Sequence, residues 1–180
     1  MPNWCMNKLT IRHDDKSMIE KFDKAYRNDS AIETFLPTPR DPNDPDRIIG
    51  DDAPVPDGML DWHSWRLANW GTKWDIGCGI DMGMRGLEPT IVDDELSVTF
   101  DSAWSPPLGF YERLVVLGFD VQASYFEPGM SFAGIWDNGA DAYYEGHWKD
   151  FPEALQDEFD MHEYYDELEV GIEEEEGKKM

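Results

Sequence analysis

Six prolines fall between residues 37 and 56: Pro37, Pro39, Pro42, Pro45, Pro54 and Pro56. Each lacks a backbone donor and has its φ fixed, so the stretch forbids regular structure and predicts a long surface loop. Whatever fold the chain adopts must carry that loop between two blocks of regular structure.

The first block is short. Residues 4–12 place Cys5, Leu9 and Ile11 on alternate positions, the period of a half-buried strand. Asp14, Asp15 or Ser17 can cap a following helix, whose apolar Met18, Ile19, Phe22, Ala25 and Tyr26 recur at helical spacing as far as about Asn28. The second block begins with a short helical pattern from about Leu60 to Asn69, stopped by Gly71. Thr72–Ile76 alternates and predicts a strand, followed by a Gly-rich turn over 77–86. Glu95–Trp104 alternates strictly, with Leu96, Val98 and Phe100 inward and residues 103–104 continuing the buried side. Ser105-Pro106-Pro107 is a helix-start signal with Ser105 as N-cap, and the helix runs to Gly118. Phe119–Phe126 is a further strand. Asp137-Asn138-Gly139 predicts a hairpin between 131–136 and 140–145. Residues 152–168 predict a helix with a stripe of Leu155, Phe159, Met161 and Tyr165, and the last ten residues predict disorder.

Strand, helix, strand, strand, helix, strand is the split βαβ order of a ferredoxin-like fold: α+β, an antiparallel sheet with two packing helices. The expected organisation is a domain over 1–149, with an inserted loop and short helix at about 35–70 and an extra C-terminal hairpin. An acidic helical or disordered tail over 150–180 completes it.

Charge narrows the partners. The 180 residues hold 39 Asp and Glu against 15 Lys and Arg, a formal net charge of −24. Phosphate binding needs clustered cations, so direct nucleic-acid binding and docking on an anionic membrane are both excluded. Residues 150–180 alone hold 13 acids and 2 bases, and such blocks stay solvated or act as interaction tails. No apolar run is long enough to cross a membrane and no leader pattern opens the chain, so a cytoplasmic protein is expected.

Site chemistry is sparse. Cys5 and Cys78 read as reduced, packed thiols, and no CxxC is present. His13, His63, His147 and His162 lie in separate elements without metal-pair spacing. The Asp41–Asp52 run lacks the glycine and the final glutamate of a calcium loop. Gly77-Cys78-Gly79 lacks the rest of a dinucleotide fingerprint. No metal and no cofactor is expected. Aromatic and charged residues beside strand ends, namely Trp70, Lys73, Trp74, Trp104 and Glu127, define a candidate pocket for a small ligand or nucleotide. Large aromatics serve more often as core.

Four segments, taken in order, resemble a known family. They are Met1-Pro2-Asn3-Trp4-Cys5-Met6-Asn7-Lys8-Leu9, Asn69-Trp70-Gly71-Thr72-Lys73-Trp74-Asp75, Ala103-Trp104-Ser105-Pro106-Pro107 and Tyr125-Phe126-Glu127-Pro128-Gly129-Met130-Ser131-Phe132-Ala133-Gly134. Together they resemble the YubB-like family, small proteins of bacteriophages and conjugative plasmids with a ferredoxin-like domain. The resemblance implies a fold and a mobile-element setting, carries over no catalytic residues, and leaves the acidic C-terminus outside it.

In that setting the acidic tail is expected to carry function without enzymatic chemistry. Acids at Glu153, Asp157, Glu158, Asp160, Glu163, Asp166, Glu167 and Glu169 along a helix rising 1.5 Å per residue approach the charge density of duplex DNA. The expected partner is a basic host protein, a nuclease or another nucleic-acid-binding defence component, which such a surface would occupy and inhibit. The alternative is the ligand or enzymatic site at the Trp-rich strand ends.

Overall fold

The computed structural model describes residues 3–50, 55–79 and 86–167. Strand β1 (Trp4–Arg12) buries Cys5, Asn7, Leu9 and Ile11 on one face and turns Lys8 and Arg12 outward on the other. Helix α1 (Lys16–Arg27) follows, capped by the Asp15 carboxylate, which accepts from the Ser17 N–H at 2.9 Å. A second helix, α2 (Ala31–Phe35), comes next. Residues 36–89 then hold the small strands β2 (Arg40–Asp41) and β3 (Asp44–Ile48) and helix α3 (Trp62–Asn69). Strands β4 (Thr90–Val92) and β5 (Glu95–Ala103) precede helix α4 (Leu108–Val116). Strand β6 (Asp120–Glu127) leads into the hairpin β7 (Phe132–Asp137) and β8 (Ala140–Glu145). Helix α5 (Glu153–Glu158) follows, and the chain is helical again over 161–167.

Six strands form one antiparallel sheet in the order β4-β5-β1-β6-β7-β8. Alternation along β1, β5 and β6 sends Leu9, Ile11, Val98, Phe100 and Val121 to one face. There they pack with Phe22 and Tyr26 of α1 and Phe110 and Leu114 of α4. A polar network crosses this layer beside them. The Asn7 amide donates to the Cys5 carbonyl at 2.7 Å and to Ser102 Oγ at 2.8 Å, and its oxygen accepts from the Tyr111 hydroxyl at 3.1 Å. Burial in a low-dielectric interior is tolerable for such groups only when each finds a partner.

The opposite face is covered too. Phe126 and Ala133 project from β6 and β7 and are buried against Trp148, Phe151, Leu155 and Met161, with Met6, Phe159, Tyr164 and Tyr165 packed around them. The expected stripe of Leu155, Phe159, Met161 and Tyr165 is therefore a docking face, and residues 148–167 form a third layer. Asp160, at φ +46°, breaks the expected continuous helix after Glu158.

Several expectations need correction. Thr72–Ile76 is not a strand. The Thr72 hydroxyl accepts from the Ala103 N–H and donates to the Ala103 carbonyl, both at 3.1 Å, so the segment docks on the end of β5 through a side chain. Asp75 accepts from the N–H groups of Ile32 at 2.7 Å and Glu33 at 2.9 Å and so caps α2 from a distance. The strand beside β5 is instead β4, whose three residues are too few to show a period. The proline-rich stretch holds the β2–β3 hairpin, with Pro45 tolerated because the pair stands alone. Ser105 is not the N-cap of α4: Pro107 holds that position, and the Ser105 hydroxyl donates to the Gly71 carbonyl at 2.5 Å. Trp104 turns outward, 51% exposed at φ +70°, where the alternation placed it inside. Parts of the 77–86 turn, and the last ten residues with Glu169, lie outside the described residues.

Candidate functional site

The seven acids Glu153, Asp157, Glu158, Asp160, Glu163, Asp166 and Glu167 sit on the docked layer, and all seven are exposed. Their backbone is fixed by the apolar side of the same segment. Trp148 stacks on Tyr165 with centroids 5.2 Å apart and planes at 6°, and His162 meets the Trp148 ring edge-on at 4.6 Å. One of the seven is committed: Glu158 pairs with Lys8 and accepts from Ser124 Oγ. Among the described residues, none of the other six forms an ion pair. An open groove of about 560 Å³ runs along His162, Glu163, Asp166 and Glu167. A constellation of exposed carboxylates with one imidazole among them attracts positive charge.

The five residues of the candidate pocket meet different fates. Trp70 is buried in the inner layer, its indole N–H donates to the Leu36 carbonyl at 2.7 Å, and the Arg66 guanidinium lies 4.2 Å over its ring. Glu127, the last residue of β6, is buried and accepts from the N–H groups of Gly129 at 2.9 Å and Met130 at 2.5 Å in the turn that follows. Both are occupied with structure. Lys73 and Trp74 stay together, the ammonium 4.8 Å over the indole, and Trp74 faces Trp4 at 5.8 Å. Trp104 joins this end of the sheet through its N–H to the Asn3 carbonyl at 2.9 Å. Trp4 was not singled out from sequence, although its place at the start of β1 is what brings it beside Trp74.

Other titratable groups also serve the fold. His13 accepts from the Asp15 N–H on Nδ1 at 2.9 Å, which leaves Nε2 to donate to the Leu117 carbonyl at 3.2 Å. It lines a cleft of about 480 Å³ with Arg12, Lys16, Asp94 and Asp120, where Lys16 pairs with Asp94 and Arg12 with Glu95. Cys5 and Cys78 are free. Burial pushes the Cys5 thiol well above its ordinary value, and nearby Glu127 adds to the effect, so it is a packed thiol and not a nucleophile. Among the described residues no group of three His, Cys, Asp or Glu could hold a metal ion, and no helix is long and apolar enough to cross a membrane.

The geometry defines a mixed α+β protein built on a six-stranded antiparallel sheet with helical layers on both faces. No family model matches the sequence, and no curated protein matches it. A solved structure similar to it is that of protein api92 from Yersinia pseudotuberculosis, a DUF1281 protein. That likeness has 12% sequence identity and a TM-score of 0.45, covering 82% of this chain and 99% of the other. At those values the neighbour assigns no activity to this chain.

Proposed function

We propose that this is a non-enzymatic interaction protein of a phage or other mobile element, resembling the YubB-like family. Its acidic C-terminal surface binds and inhibits a basic, nucleic-acid-binding host defence protein. The observation that carries the reading is the docking of residues 148–167 on the sheet, which leaves Glu153, Asp157, Asp160, Glu163, Asp166 and Glu167 exposed on a fixed backbone. A fixed anionic surface loses less conformational entropy on binding than a loose acidic tail, and steers a cationic partner from a distance. The strand order β4-β5-β1-β6 around α1 and α4 supports a ferredoxin-like reading of the central unit.

The test uses neutralising substitutions, because deleting the segment would strip the apolar cover from Phe126 and Ala133. Full-length protein and the variant Glu163→Gln/Asp166→Asn/Glu167→Gln are immobilised and exposed to host lysate at low and high salt. The expected result is a nucleic-acid-binding protein held by the wild type, released by salt and by added duplex DNA, and held more weakly by the variant. Equal capture by both proteins, or capture that DNA does not compete, sinks the proposal.

A further inference from the structure

Strand β8 (Ala140–Glu145) ends the sheet, and among the described residues nothing pairs with its outer side. The other end is closed by β4, only three residues long, a common way to blunt an edge. β8 has six residues and carries no proline and no lysine, so its only edge-protecting charges are acidic.

Which backbone groups face outward follows from the turn. Asn138 and Gly139 have φ of +46° and +99°, the two-residue turn in which the flanking Asp137 and Ala140 form a hydrogen-bonded pair. Bonded and non-bonded pairs then alternate, so Ala140, Ala142 and Tyr144 bond to β7 while Asp141, Tyr143 and Glu145 aim their N–H and C=O groups away from the sheet. The same three residues share one face. Tyr143 is 52% exposed and packs beside Phe132 at 5.7 Å. The Tyr125 side chain crosses Gly134, whose missing Cβ gives it room, and donates to the Asp141 carboxylate at 2.8 Å. Asp141 is thereby held in position, and among the described residues its second oxygen takes no hydrogen bond.

We infer that the outer edge of β8 accepts an extended basic peptide segment as an added antiparallel strand. Alternate residues of the incoming strand lie opposite Asp141, Tyr143 and Glu145, where a lysine or arginine finds a carboxylate, an aromatic face and a second carboxylate. Charge also excludes a second copy of this chain. The longest antiparallel self-pairing through these outward groups centres on Tyr143 and sets Asp141 opposite Glu145 twice, a like-charge arrangement that destabilises a sheet. This goes beyond the tail reading, because β8 and the tail acids belong to different elements.

The probe is an acetylated, amidated peptide of alternating lysine and valine, long enough to span β8, titrated calorimetrically into the full-length protein at low salt. In the paired strand the lysine amides donate to β8 and the valine amides point away. N-methylation of the lysine amides is expected to weaken binding by about tenfold or more, a loss of roughly 1.4 kcal/mol, whereas N-methylation of the valine amides leaves it unchanged. The Asp141→Asn/Glu145→Gln variant, which keeps an acceptor for Tyr125, is expected to bind as weakly as the first methylated peptide leaves the wild type. Binding that ignores the site of methylation, that survives in the edge variant, that is lost only in Glu163→Gln/Asp166→Asn/Glu167→Gln, or that is absent altogether overturns the proposal.

Discussion

One carboxylate oxygen of Glu158 takes the Lys8 ammonium at 2.5 Å, and the other accepts from the Ser124 hydroxyl at 2.7 Å. A residue at the end of α5 thus ties two neighbouring strands, β1 and β6, to the outer layer. Glu158→Gln should loosen that layer at a cost of about 1 kcal/mol, because the pair is only partly shielded from water. Faster amide exchange over 155–165 in the variant, with the difference shrinking at high salt, is the outcome to look for. Unchanged exchange would show the contact to be passive.

Leu155 is the apolar counterpart, fully buried beneath the outer layer. Leu155→Ala should cost about 2–4 kcal/mol through lost burial and the cavity left behind. Urea denaturation followed by tryptophan fluorescence measures it. A loss under about 1 kcal/mol would mean that the layer contributes little to the fold.

The Asn7–Tyr111 contact lies inside the core, so removing one partner should cost more than the bond itself contributes. Tyr111→Phe leaves the Asn7 oxygen without its donor and should destabilise by about 1–3 kcal/mol. Chemical denaturation of the pair of proteins tests this, and a neutral substitution would mean that another donor replaces the hydroxyl.

Asp75 gives a pH prediction. Burial raises its carboxyl from 3.8 to about 6, against the opposing effect of N–H bonds from Glu33, Ile32 and Ile76. The folded state therefore holds the proton more tightly than the unfolded chain. The resulting stability is complete below the ordinary carboxylate range and is lost as pH rises through about 6. The stability advantage of the wild type over Asp75→Asn should shrink by on the order of 2–3 kcal/mol between pH 4 and pH 7. Melting curves of both proteins across that range check it, and a constant difference would show that Asp75 titrates normally.

Sequence patterns reached the elements whose residues obey one local period. β1, β5 and β6 alternate because one face of each meets the inner layer, and α1 follows its apolar spacing for the same reason. The hairpin was legible in Asn138-Gly139, since few other pairs accept positive φ at both positions. Thr72–Ile76 mimicked a strand because Thr72 and Asp75 each reach a distant backbone, and no window along the chain contains Ala103 or Ile32. Trp70 and Glu127 show a related limit: residue type reveals their chemistry, and the fold directs it to internal hydrogen bonds. The acids of the tail were legible as charge but their fixed position was not. That depends on Phe126, which ends the polar side of β6, and on Ala133 beside it in β7, which together form an apolar patch.

β1 stands third in a row of six, with β5 and β6 on its flanks. Its partners lie far along the chain: Arg12 meets Glu95 across 83 positions, Asn7 meets Tyr111 across 104, and Lys8 meets Glu158 across 150. During synthesis β1 must therefore wait, unpaired on both sides, until β5 and β6 have followed it from the ribosome. Folding is committed to long-range closure and should be slow for a protein of this size. A fragment released early exposes the apolar face of β1 with nothing to cover it, so truncated products should aggregate instead of surviving as smaller folded units.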